Sequence, residues 1–500
     1  MRKTLLAKNT IASLVFQITT IVCGFILPRI ILQQFGSETN GLISSITQFL
    51  GIIGFLELGV GAVVQSSLYK PLADDDNNQI SAIIVSAQSF FNRIAQILLI
   101  YIVILCAIYP HIAAKNMGWL YTATLIVSMS VSYFAQYYFG IVDRILLNAD
   151  QKGYIQYNSQ TITLIINTFA CAVLIKLGAS IHIVKLTTSL LFVLRPVLIR
   201  RYVDKNYKID RKIQFIGEPI KHKWNGVAQH VSAVVLDSTD SIVLTIFGTL
   251  VDVSIYSVYH LVVYGIKQVL ISMTMGFQAL FGELWAKKEL EELKVTFEWA
   301  EWIIHTGTVF LFGCTGVLIL PFIDLYTRGV TDANYLQPAF ATLIIMAQAG
   351  HCLRLPYNTM ILASGRYKET QECYVIAAVS NVVISVLTVK VWGLIGVAIG
   401  TLVAMSYQTV WMALYNSKEM LKCSIFTFVK QVFVDLLTVI IAGGISMFMF
   451  EYVNSYLMWS ILAIRIAVIW ILVIFIINYI LYKEKIIKLL SIIMNKFATH

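Results

Sequence analysis

Six basic residues stand inside long apolar runs of this chain: Arg29, Arg93, Arg195, Lys267, Arg354 and Arg465. A charge at bilayer depth costs about 2.5 to 3.5 kcal/mol on the insertion scale, so such a residue normally faces a protein interior or a wet cavity. Fixed cations in that setting bind oxyanions. Arginine does so best, because its planar fork meets phosphate oxygens in pairs and it keeps its proton. Arg93 and Lys267 fall mid-span. Arg354 precedes Pro356, whose ring frees backbone carbonyls of its helix, while Arg195 lies near the end of a span and can snorkel. Arg465 has a partner within reach in Glu451.

Buried carboxylates offer the complementary chemistry. Asp237 and Asp240, at i and i+3, share a helix face, with His230 two turns earlier on a similar bearing. Asn381 and Ser385 share another face at i and i+4, and Thr401 follows on the next helix. Together these oxygens suit a hard cation such as Na⁺; proton coupling, or none, stays open beside it. Glu57 and Glu283 are read as salt-bridge partners for intramembrane arginines, Glu57 beside Leu58-Gly59-Val60-Gly61, where helices can approach closely.

The elements that must position these groups are helices. Hydrophobic residues make up 58% of the 500-residue chain and charged residues 13%, with a mean hydropathy of +0.77. Fourteen apolar stretches run almost end to end, each near the roughly 20 residues that cross about 30 Å of hydrocarbon. The fold class expected is an all-α polytopic membrane protein with fourteen transmembrane helices. The first run is too long for a signal peptide and reads as an uncleaved helix. The seven cysteines show no C-x-x-C pairing, so no metal or redox chemistry is indicated, and no cofactor is expected.

Charge placement orients the spans. Most Lys and Arg, among them Arg200, Arg201, Lys205, Lys208, Arg211, Lys212, Lys221 and Lys223, fall in gaps on one side. The other side holds Lys115, Lys176, Lys185, Arg328 and Lys390. The positive-inside rule then puts both termini in the cytoplasm, and the net charge of +10 is a topology signal rather than a nucleic-acid footprint. Lysines alternating with Ile486, Ile487, Leu489, Leu490, Ile492 and Ile493 read as an amphipathic helix on the inner leaflet.

Two segments repeat a pattern of small-polar turn, mid-helix Asn and Gly turn, at an offset of 214 residues from Asn167 to Asn381 and 215 from Gly178 to Gly393. That offset equals six helices plus the basic loop. The organisation read from it is an N-lobe at 1–200, a basic cytoplasmic linker at 201–223, a C-lobe at 224–416, two further helices at 417–483 and an amphipathic tail at 484–500, with the lobes related along the membrane normal and a substrate path between them.

The segment GFILPRIILQQFGSETNGLISSITQFLGIIGFLELGVG, residues 24–61, resembles the start of Wzx-type oligosaccharide flippases of the multidrug, oligosaccharidyl-lipid and polysaccharide (MOP) exporter superfamily. The matching features are Pro28-Arg29, the Phe35-Gly36 turn with Gly41 beyond it, and Leu58-Gly59. A W-G-x-x-G-V-A turn from Trp392 to Ala398 is a second match. The resemblance implies a MATE/MOP-like bundle of six, six and two helices. The implied cargo is an undecaprenyl-pyrophosphate-linked oligosaccharide repeat unit, moved to the outer leaflet of a bacterial inner membrane by alternating access. O-antigen and lipopolysaccharide assembly is the implied setting, with membrane lipids, a polysaccharide polymerase and a chain-length regulator as partners. Arg29, Arg93, Lys267, Arg354 and Arg195 would line the cationic cavity, while Asp237, Asp240, Asn381, Ser385 and Thr401 would take Na⁺ or H⁺. Lipid II flippases share the architecture but place arginines in helix one where this chain has Ile21 and Leu27.

Two other classes are weaker. A membrane-embedded polymerase or glycosyltransferase needs a sizeable hydrophilic region, and the longest gap here is short, basic and free of any phosphate-binding loop. A drug antiporter of the same superfamily would carry a more acidic cavity.

Overall fold

In hydrocarbon a backbone amide finds no partner except its own chain, so continuous apolar sequence closes into helices. The computed structural model describes residues 2–213, 227–449 and 451–498, and every regular element among them is helical. Two compact units result: residues 1–257 with 329–333, and 258–328 with 334–500.

The first unit contains α1 (Arg2–Gly51), α2 (Phe55–Ala73), α3 (Asn77–Ala113), α4 (Trp119–Phe139), α5 (Ile141–Ala149), α6 (Gly153–Lys176), α7 (Ile181–Asn206), α8 (Val227–Phe247) and the start of α9 (Leu250–Lys287). The second continues α9 and adds α10 (Leu290–Tyr326), α11 (Pro338–Leu353), α12 (Leu355–Ser364), α13 (Tyr367–Trp392), α14 (Leu394–Tyr415), α15 (Phe426–Phe448), α16 (Tyr456–Leu481) and α17 (Lys483–Ala498). The chain division differs from the expected boundary at 201–223, because α8 packs on α1, α2 and α3. Residues 214–226 of that linker lie outside the described residues.

Ten helices are long and apolar enough to cross a membrane among the described residues, or eleven if the bent pair α4–α5 counts as one span. The expected fourteen is therefore not reached by this measure. The difference has local causes: α1 is counted once although Gly36 divides it, and Arg354 interrupts the segment α11–α12. Outward-facing Phe169, Leu387, Ile440, Leu457 and Ile480 expose broad apolar faces, as lipid-facing helices do. This is a multi-pass membrane protein.

The turn motif near the N-terminus has a physical explanation. Gly36 adopts φ 81° and ψ 175°, a conformation that glycine reaches without strain. Just past it, the Ser37 backbone N–H and hydroxyl each donate to Asp332 at 2.7 Å, so a distant carboxylate caps the second limb of α1. At Gly41 a Cβ would lie 1.7 Å from the Leu250 carbonyl oxygen. Gly41→Ala should therefore destabilise the protein by about 1 to 3 kcal/mol or more through overpacking. Gly443→Ala on α15, where a Cβ meets nothing within 4 Å, should leave the thermal midpoint of the detergent-solubilised protein unchanged or slightly raised.

The repeated pattern corresponds to α6 followed by Gly178 (φ +78°) and α13 followed by Gly393 (φ +53°). Asn167 and Asn381, its mid-helix positions, are both buried.

Candidate cationic binding sites

In the first unit, Gly140 separates α4 from α5, which bend by 54°. A Cβ on Gly140 would come within 2.8 Å of the Pro196 ring, so the bend and the proline of α7 meet because glycine stands there. Beside this contact opens a cavity of about 350 Å³, whose lining includes Tyr133, Gln136, Arg144, Gln160, Lys185 and Arg195. Arg195 donates from Nε to the Thr163 hydroxyl at 2.7 Å, and its guanidinium carbon lies 3.6 Å from the centre of the Phe192 ring. Thr163 takes only one of the five guanidinium N–H donors. Three cations, amides and an aromatic ring around one concavity are groups that can hold a phosphorylated sugar.

A second cavity of the same unit, about 490 Å³, is lined by Gln88, Asn92, Arg93, Gln96, Arg200 and Arg211 among others. Arg211 is anchored there, donating to Asp143 at 3.1 Å and to Asp204 at 2.6 Å. Burial works against its charge, but these two carboxylates hold its guanidinium above its usual value. Arg93 is exposed. Arg29, half-buried on α1 next to Pro28, lines neither cavity.

The second unit gathers Lys267 from α9 and Arg354, at the break between α11 and α12. Their residues are 3% and 5% exposed. Pro356, two residues on, has no N–H to offer the helix, which explains why the chain breaks at this point. Arg354 Nη2 approaches His351 Nδ1 at 3.0 Å, and both Arg354 and Lys267 act electrostatically on the His351 ring. Arg354 Nε and Nη1 are buried with no hydrogen-bond partner. A buried cation with so few acceptors is costly, and an anion seated beside it would relieve that cost.

The residues expected to take a cation fall in both units. Asp240 is buried and accepts from the Tyr256 hydroxyl at 3.1 Å, whereas Asp237 is exposed; both belong to the first unit. Asn381, Ser385 and Thr401 come together in the second, at the contact of α13 and α14. Asn381 Nδ2 donates to Thr401 Oγ1 at 3.0 Å and Asn381 Oδ1 has no partner. The contact depends on Gly400, where a Cβ would lie 2.3 Å from Ser385 Oγ. The side chains of His230 and Glu57 lie outside the described residues. Glu283 forms its ion pair with Lys287, one turn on at 2.5 Å, rather than with an intramembrane arginine, because both sit on the exposed end of α9. Arg465 pairs with Glu451 at 3.3 Å as expected. Among the described residues no group of His, Cys, Asp and Glu could hold a metal ion.

Lys185, expected in a loop, and Arg144, absent from the expected site residues, both line the first cavity. A buried ionisable group shared by α10 and α15 was not expected either.

No protein-family model matches the sequence, and no curated protein sequence matches it. Solved structures do match its fold. The lipid II flippase MurJ in an inward closed conformation is 16% identical, with a TM-score of 0.69 over 96% of this chain and 99% of that one. An inward-facing multidrug-resistance MATE transporter of the MOP superfamily is 17% identical, with a TM-score of 0.58 over 80% and 95%. A MOP superfamily transporter from Pyrococcus furiosus, described as having a binding pocket of reversed polarity, is 14% identical, with a TM-score of 0.57 over 84% and 97%. The fold is MurJ- and MATE-like, an all-helical membrane bundle.

Proposed function

We propose that this protein is a flippase that moves undecaprenyl-pyrophosphate-linked oligosaccharide repeat units from the cytoplasmic to the outer leaflet of a bacterial inner membrane by alternating access. The observation that carries this reading is the first-unit cavity, with Arg144, Lys185 and Arg195 beside neutral hydrogen-bonding groups. Its charge suits a pyrophosphate and opposes a cationic drug. The buried, partnerless N–H groups of Arg354 beside Lys267 add a second place for an oxyanion. Arg29 and Arg93 complete the proposed cationic set. The N- and C-lobes at 1–200 and 224–416 and both cytoplasmic termini belong to the same reading. Transport is coupled to Na⁺ or H⁺ in this account, and a polysaccharide polymerase and chain-length regulator receive the product.

A lipid II flippase is the second reading, favoured by the fold match over 96% of the chain and opposed by Ile21 and Leu27 where arginines would stand. Deleting the gene and detecting lipid-linked sugars by leaflet separates the two. Repeat units held on the cytoplasmic side, with peptidoglycan synthesis intact, are the expected result. Trapped lipid II would replace the first reading with the second, and unaltered leaflet distribution of both would end it.

A further inference from the structure

A second set of ionisable side chains, apart from the basic sites, is buried in the second unit. His305 on α10 is 0% exposed and its Nδ1 lies 2.6 Å from Asp435 Oδ2 on α15. Asp435 accepts from Gln431 Nε2 at 3.1 Å through its other oxygen. One turn before His305, Glu301 is 7% exposed and accepts from the Tyr357 hydroxyl of α12. The His305 and Tyr357 rings meet edge to face at 6.2 Å. His305 Nε2 makes no hydrogen bond, and the Leu353 carbonyl, at the break that carries Arg354, is close enough to act on that ring.

The charges of this group do not balance without an added proton. With the imidazole neutral and both carboxyls ionised it would hold two negative charges out of water, an arrangement that low-dielectric surroundings penalise. Among the described residues no lysine pairs with either carboxylate, although the Lys485 ammonium acts on Glu301 electrostatically: Lys485 of α17 donates to the Glu298 carbonyl at 3.0 Å, Lys430 of α15 to the Leu481 carbonyl at 3.3 Å, and Lys294 of α10 pairs with Glu291 at 2.8 Å. The other titratable groups around it are Glu298, Cys423 and Tyr482, which supply no cation. Any proton this group takes up comes from water.

A route for it is present. A cavity of about 30 Å³, enough to admit a water molecule, is lined by Lys294, Glu298, Glu301, Tyr357, Asn416 and Cys423 among others. Asn416 is 1% exposed and its Oδ1 has no hydrogen-bond partner, an acceptor that a water in this cavity would satisfy.

We propose that Glu301, His305 and Asp435, with Tyr357, form a proton-binding site loaded by water through this cavity, and that its occupancy sets how firmly α12 is held to α10. A proton leaving water for the Glu301 carboxylate turns the Tyr357 bond from charge-assisted to neutral, about half as strong. Tyr357 stands three residues beyond Arg354, so the hold on the segment bearing that arginine changes with it. The site's role as the carrier of the coupling proton rests on the function proposed above; proton binding itself does not.

The test is infrared difference spectroscopy of the purified full-length protein, without substrate, between about pH 8 and about pH 5, the range that brackets the ordinary histidine value. A carbonyl band from a buried protonated carboxyl should appear on acidification. It should vanish in Glu301→Gln or in Asp435→Asn, whichever carboxyl takes the proton, and shift in frequency in Tyr357→Phe, which keeps the ring packing. A spectrum identical in the wild type and all three variants overturns the proposal. Because no cargo is present, this outcome is independent of whether the protein flips the proposed lipid.

Discussion

Arg354→Leu is expected to raise the thermal midpoint of the purified protein while abolishing transfer of cargo. The guanidinium is buried, and its Nε and Nη1 lack acceptors in the structure. Removing a buried charge that no carboxylate balances relieves its desolvation penalty, and even whole buried ion pairs replaced by apolar residues often leave a protein about 1 to 4 kcal/mol more stable. An arginine kept for structural reasons behaves oppositely, because deleting one member of a buried ion pair costs about 3 to 5 kcal/mol. Opposed changes in stability and function would mark Arg354 as a group maintained for its ligand. Arg354→Lys keeps the charge but not the planar fork, and should fall between the two in transfer. A drop in thermal midpoint with unchanged transfer would show that the residue serves the fold alone.

Lys185→Gln combined with Arg195→Gln should reduce transfer about a hundredfold or more. Hydrogen bonds to charged groups contribute about 1.5 to 3 kcal/mol each, and two neighbours on one anion share that contribution rather than adding fully. Stability should change little, since Arg195 makes one hydrogen bond, to Thr163, and Thr163 can also donate to its own helix at Ser159. Transfer rates measured against lipid concentration in proteoliposomes should show the loss as weaker apparent binding. Wild-type transfer in the double variant would remove the cavity from the cargo's path.

The helices were legible because hydrophobic run length alone specifies them, and the intramembrane cations were legible because each costs so much that its presence needs a reason. The Phe35-Gly36 and Gly41 signature was visible as a pattern, but its meaning was not. Asp332 and Leu250, which give those glycines their roles, come from far along the chain. Lys185 was hidden because it stands near the start of α7, where a span boundary cannot be drawn to within a turn. Arg144 was hidden by the bend at Gly140, which turns α5 against the cavity. Asp435 and His305 could have been found, since an ionisable residue in mid-span is a site by default; their pairing could not, because α10 and α15 are separated by 130 positions at that contact.

Whether a basic interior hands a pyrophosphate headgroup across the bilayer is decided by reconstituting the purified protein in liposomes with an undecaprenyl-pyrophosphate-linked sugar and following the sugar's appearance in the opposite leaflet. Transfer that depends on the protein, and that fails when the pyrophosphate is replaced by a neutral linkage, is the result expected. Equal transfer of the neutral lipid, or none of the charged one above protein-free liposomes, would contradict it.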